Sequence, residues 1–198
     1  MSNSSLDNNR KGVSYNDCLA KGPNSLSPLF QVLITFRGYE HVVVWDLHKA
    51  YNTVLTGDPE LHMRRLVWRW GDSSRDWTTF GFQVMTYGDR PAACGLEVAK
   101  EKVTTAGAVV CAETAETMKR GTYVDDSVGG GSAETVDRLI GEVRGVNGQL
   151  FYTGTVAQIL ALGGMRAKVM VRSGEPDPKI AESLACPGTL SQTRSSST

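Results

Sequence analysis

Three carboxylates and a tyrosine carry most of the chemistry in this chain. Asp125 and Asp126 are neighbours in Tyr123-Val124-Asp125-Asp126, and Asp46 closes the run His41-Val42-Val43-Val44-Trp45-Asp46, with Tyr51 five residues on. Asp is poor inside strands but at home in tight turns, where its carboxylate accepts from nearby backbone N–H groups. The plain reading of Asp125-Asp126 is therefore a hairpin turn. The chemical reading is that a hairpin pushes two like charges together, which is costly unless a divalent cation neutralises them. Anionic, oxygen-only ligands suit Mg²⁺ or Mn²⁺. Metal ions held in this way activate a hydroxyl and stabilise the leaving oxygen of a phosphoryl transfer. That chemistry calls for a third carboxylate, and Asp46 is the candidate.

The surrounding pattern suggests how these groups are positioned. Arg120 to Val124 and Ser127 to Val128 form two short β runs that meet at the aspartates, ahead of Gly129-Gly130-Gly131. The β-branched run ending at Asp46 predicts a strand followed by a short helix, so neighbouring strands would bring all three carboxylates to one end of a sheet. Upstream, Ser27 and Pro28 suit an N-cap and first helical position. Leu29, Val32, Leu33 and Phe36 then recur at helical spacing, an apolar face expected in the core. Arg64 to Trp70 and Trp77 to Met85 predict a hairpin about Gly71-Asp72-Ser73-Ser74. In it Arg64, Arg65, Arg69 and Arg75 interleave with Trp68, Trp70 and Trp77. Two readings stay open there: a solvated basic edge with tryptophans packed inward, or a surface for phosphate contacts and base stacking.

Further along, Leu96, Val98, Ala99 and Val103 mark a helix, and a second spans Ala112 to Lys119. Ser132 caps another, with Glu134 in its first turn and Val136, Leu139, Ile140 and Val143 on its buried face. A helix from near Thr155, using Val156, Ile159 and Leu160, stops at Gly163-Gly164. Met165 to Arg172 then alternates like a strand. The fold class is α+β: a small antiparallel sheet bearing the carboxylates, with helices packed on one face.

Composition sets the limits. The 198 residues hold 21 basic and 21 acidic side chains, and the sequence pI is about 6.8, so any nucleic-acid contact must come from local patches. No run of eighteen apolar residues occurs, which gives no membrane span, and the polar start Met1-Ser2-Asn3-Ser4-Ser5 lacks a signal-peptide core. Cys18, Cys94, Cys111 and Cys186 are scattered without a Cys-x-x-Cys pair, as expected of reduced thiols in an intracellular protein rather than a zinc site. Neither glycine-rich stretch is followed by Gly-Lys-Ser/Thr, so neither is a P-loop. Residues 1–12 form a polar lead-in, 13–172 the main domain, and 173–198 a Pro- and Ser-rich tail expected to be disordered.

The ordered pair Asp46-x-x-x-x-Tyr51 and Tyr123-Val124-Asp125-Asp126 resembles motifs A and C of reverse transcriptases. Ser14-x-Asn16-Asp17-x-Leu19, followed by Gly22-Pro23, resembles the stretch ahead of motif A in polymerases of the Bel/Pao group of LTR retrotransposons. Tyr87-Gly88-Asp89-Arg90-Pro91-Ala92-Ala93 is similar to motif B, with Arg90-Pro91 where the family more often shows Ser-Pro. Gly163-Gly164-Met165 followed by Lys168 resembles motif D. The resemblance implies a polymerase palm with partial fingers. Asp46, Asp125 and Asp126 would bind the metals and do catalysis, and Tyr51, Tyr87, Gly88 and Tyr123 would line the nucleotide side. Tyr51 would exclude the 2′-hydroxyl. Lys168 would protonate departing pyrophosphate, although a lone lysine on a strand is more often simply a solvated charge. The implied partners are a dNTP and an RNA or DNA template with its primer.

The resemblance spans residues 13 to 172. The basic fingers strand, the thumb, and the RNase H, integrase and protease domains of such polyproteins are expected outside this stretch. Two other functions compete on the same residues. A non-catalytic nucleic-acid-binding remnant would keep the palm without the fingers grip. A metal-dependent nuclease also clusters carboxylates but has no need of Tyr51 or motif B.

Overall fold

The structure is a computed structural model, and it describes Gly12 and residues 14–175. Cys186 and most of the predicted tail and lead-in lie outside the described residues. After a short 3-10 turn at Tyr15–Cys18, the chain forms α1 (Leu29–Arg37) and β1 (His41–Leu47). A 3-10 turn at Ala50–Thr53 leads to α2 (Asp58–Leu61), then β2 (Arg65–Trp68) and β3 (Thr78–Gly81). There follow α3 (Ala92–Gly121), β4 (Thr122–Tyr123), β5 (Asp126–Gly131), α4 (Ala133–Ile140), β6 (Glu142–Arg144), β7 (Leu150–Tyr152), α5 (Thr155–Ala161) and β8 (Ala167–Arg172). No helix among the described residues is long and apolar enough to cross a membrane.

The central sheet has the order β4-β5-β1-β8, every neighbouring pair antiparallel. With α3 between β1 and β4, and α4 and α5 between β5 and β8, the elements run β-α-β-β-α-β, the split arrangement of ferredoxin-like folds. The α+β expectation, with helices gathered on one face, is met. The alternation of β1 explains it. Val43, Trp45 and Leu47 are buried, whereas Val44 is exposed and Asp46 half-buried, so one strand serves both the core and the open face. Val43, Trp45, Leu96, Leu139, Ile140, Val156 and Ile159 form the centre of the core, each worth about 1.5–3 kcal/mol when fully buried.

Several boundaries differ from the sequence reading, for identifiable reasons. Arg120 is not in a strand, because α3 continues to Gly121. Residues 129–131 belong to β5 instead of following it. A Cβ on Gly129 would come to 3.1 Å from both Trp45 and Thr117, so the glycines let the strand pass close over the core tryptophan. α3 is one element interrupted at Cys111 (φ −159°, ψ 107°), which agrees with the two helices expected on either side. α4 ends at Gly141, where φ is 52°, and Val143 is consequently an exposed residue of β6 and not part of a buried helical face. In α1, Pro28 is the capping position instead of Ser27, and only Val32 is buried. Leu29 and Leu33 are 47% and 49% exposed, so that stripe is not core as expected: the helix leans on the body of the fold through one narrow line.

Candidate active site

The register of the central sheet sets the geometry of the carboxylates. Asp46 pairs directly with Asp126 across β1 and β5. Side chains directly opposite in an antiparallel pair share a face, so both project on the open side of the sheet, away from the helices. Asp125 lies in the two-residue turn between β4 and β5, and its carbonyl accepts from the Leu47 amide at 3.3 Å. The sheet register therefore puts the backbone positions of the three aspartates at one end, with Asp46 and Asp125 half-buried and Asp126 exposed.

The turn itself is strained. Val124 has φ 55°, a left-handed conformation that β-branched residues rarely adopt. Its carbonyl is held by the ammonium of Lys100, which also donates to Glu97 Oε1 at 2.6 Å. Lys100 is buried in α3. Burial pushes its pKa down, opposed by the hydrogen bond and charge of Glu97 and by the charge of Asp125.

Tyr51 is half-buried beside this turn. Burial raises its pKa, with the charge of Asp125 adding to the effect, and its ring meets Tyr87 edge-on at 4.8 Å. Tyr87 is exposed, and the turn that carries it with Gly88 (φ 87°) is buttoned down by Asn16. The Asn16 side chain donates to the Gly88 carbonyl at 2.7 Å and accepts from the Arg90 amide at 2.9 Å. Asp89, a negative charge in this segment, is buried and bonded to Arg64 Nε at 2.9 Å. Tyr123 pairs with Asp126 across the hairpin and is half-buried.

Lys168 sits where β8 shifts register against β1. Asp46 pairs with Val169 and Leu47 with Ala167, leaving Lys168 as the extra residue of a bulge. Bulges re-aim side chains at sheet ends. Here Lys168 Nζ comes to 4.0 Å from Asp46 Oδ2, at the reach of a loose, solvent-exposed ion pair.

The tryptophan hairpin resolves one open alternative. Trp68, Trp70 and Trp77 are 49%, 62% and 60% exposed, so they are not packed inward. The Arg69 guanidinium stacks over Trp77 at 4.5 Å, and Trp70 meets Phe80 edge-on at 5.8 Å. Arg64 is the exception to the basic series, committed to Asp89 in the interior.

The aspartates suit a hard divalent cation in kind: all donors are carboxylate oxygens, and two like charges face each other across a strand pair, a costly placement that a cation relieves. Among the described residues no three His, Cys, Asp or Glu side chains are already gathered as a metal-holding group. Asp46 and Asp126 supply a facing pair, with Asp125 on the adjoining turn. Cys18, Cys94 and Cys111 are free thiols.

Sequence reasoning gave no sign of Lys100 or of the Arg64–Asp89 pair. Glu97 and Lys100 lie at i,i+3 on α3, and only the packing of that helix shows them to be interior. Comparison with protein-family models finds no match, and no curated protein matches the sequence.

Proposed function

We propose that this chain is the palm of an RNA-directed DNA polymerase of the LTR-retrotransposon type. It would transfer a nucleotidyl group from a deoxynucleoside triphosphate to a primer 3′-hydroxyl. The observation that carries the reading is the pairing of Asp46 with Asp126, together with the bond from the Leu47 amide to the Asp125 carbonyl. Two segments far apart in sequence, each chemically plain alone, thereby meet at one sheet end.

In this reading Asp46, Asp125 and Asp126 would hold Mg²⁺ or Mn²⁺, and the bound ions would supply a lowered pKa for the attacking hydroxyl and charge neutralisation at the phosphate oxygens. The primer hydroxyl would give its proton to solvent, and its oxygen would bond to the α-phosphorus as the bond to pyrophosphate breaks. Tyr51, backed by Tyr87, forms the floor under the sugar and excludes a 2′-hydroxyl by bulk. In the same reading Lys168, whose Nζ is 4.0 Å from Asp46 Oδ2, would protonate the departing pyrophosphate.

A second reading rests on a separate observation. The exposed Trp68, Trp70 and Trp77 with Arg65, Arg69 and Arg75 form a stacking and phosphate surface that needs no catalysis, as in a nucleic-acid-binding remnant.

Primer extension on an RNA template, with Mg²⁺ or Mn²⁺, separates the two. The chain is assayed alone and joined to fingers and thumb segments, each with and without Asp125→Asn. Extension that EDTA and Asp125→Asn both abolish supports the polymerase. Extension that survives Asp125→Asn refutes the catalytic assignment. Single-stranded RNA binding without extension in any form, lost in Trp68→Ala with Trp70→Ala, supports the binding remnant.

A further inference from the structure

We propose that Lys100 is a positioning residue that fastens the Val124–Asp125 turn and so fixes the Asp125 carboxylate beside the end of β1. Its functional meaning rests on the polymerase reading above; its geometry does not. A buried ammonium is tolerated only where its hydrogens find partners. One partner of Lys100 is Glu97, one turn back on the same helix, and that bond alone ties α3 to nothing. The other is the Val124 carbonyl, which reaches across to the hairpin.

Val124 is the position that needs such a tie. A β-branched residue at φ 55° persists only where its surroundings over-determine the backbone. Two consecutive carbonyls of the turn are held from different elements: Val124 by Lys100 of the helical layer, and Asp125 by the Leu47 amide of the central strand. Asp125 lies between these two anchors. Glu97 serves the same device, since its carboxylate, 12% exposed, balances the lysine and aims it.

The test pairs two readouts. Mn²⁺ binding to the whole chain is measured by electron paramagnetic resonance, and amide hydrogen exchange is measured by NMR. The variants are Lys100→Met, Lys100→Arg, and Lys100→Met combined with Glu97→Gln, the last to avoid leaving Glu97 buried and unpaired. A lysine acting through charge alone repels the metal, so its removal would tighten Mn²⁺ binding. A positioning lysine gives the opposite sign: binding weaker by about tenfold in both Met variants, the size expected for a lost charged hydrogen bond, and largely restored in Lys100→Arg. The Leu47 amide should exchange about tenfold faster in the Met variants, while the β1–β8 ladder keeps its protection. Unchanged Leu47 protection overturns the proposal, and so does Mn²⁺ binding that stays equal or tightens. A wild-type chain that binds no Mn²⁺ but shows Lys100-dependent Leu47 protection removes the polymerase reading and leaves the tether standing.

Discussion

Asp89→Asn should be the most damaging conservative change in the segment that presents Tyr87. Asp89 and Arg64 form an ion pair whose side chains are 1% and 5% exposed, with Arg64 Nε 2.9 Å from Asp89 Oδ2. Taking both charges out of water offsets much of their attraction, so the intact pair adds little net stability. Removing one partner is different, because it leaves the other charge buried without compensation, at a cost of about 3–5 kcal/mol. Against a typical native stability of about 5–15 kcal/mol, that is a large fraction. With a urea dependence of about 2 kcal/mol/M, the midpoint should fall by about 2 M. Asparagine keeps the shape and one acceptor, so a loss of this size would report the charge and not the volume. Replacing both partners, as Arg64→Met with Asp89→Leu, removes the stranded charge and should recover most of the loss. Urea titration followed by circular dichroism measures all three proteins. An Asp89→Asn loss below about 1 kcal/mol, or a double variant no better than the single, would refute the reasoning. The pair also joins the residue preceding β2 to the turn carrying Tyr87 and Gly88, so the same variant should loosen the edge-on contact between Tyr87 and Tyr51.

In a polymerase completed with fingers and thumb, Tyr51→Ala should admit ribonucleotides while leaving deoxynucleotide incorporation within a few-fold; unchanged discrimination in a competition assay would make Tyr51 ordinary packing. Ser132 caps α4 by accepting from the Thr135 amide at 3.3 Å, so Ser132→Ala should cost about 1 kcal/mol in urea unfolding, and a loss near zero would show that the cap is idle.

What could be read from sequence was what depends on local periodicity. The strand ending at Asp46, the capped helix after Ser132, the Gly163-Gly164 stop and the strand through Arg172 all follow from patterns within about ten residues. The meeting of Asp46 with Tyr123–Asp126 was expected from the need for a third carboxylate and from what the resemblance of the two motifs implies, and not from periodicity. The rest depends on contacts between distant segments. The glycines of β5 look like a linker until Trp45 is seen beneath them, and Lys100 looks solvated until the hairpin is seen above it. α1 shows the converse: its spacing gives an apolar face, but spacing carries no information about whether another element covers that face.

The end of the central sheet combines three features that each oppose stability: facing carboxylates at Asp46 and Asp126, a β-branched residue at positive φ in Val124, and a buried ammonium at Lys100. A sheet end selected for stability alone would hold none of them, since a threonine pair, a glycine turn, and a methionine with a glutamine in place of Lys100 and Glu97 would each avoid the cost. They come from three separate segments of the chain yet meet at one end of the sheet, and two are linked directly, the ammonium binding the strained peptide. Local costs concentrated at one place are the mark of a site where another requirement outweighs folding. On the polymerase reading proposed above, the requirement that would account for all three together is a carboxylate held in a fixed place to meet a cation. On that reading the strained turn would set the direction of Asp125, Lys100 would keep the turn from relaxing, and the facing carboxylates of Asp46 and Asp126 would favour a cation beside them.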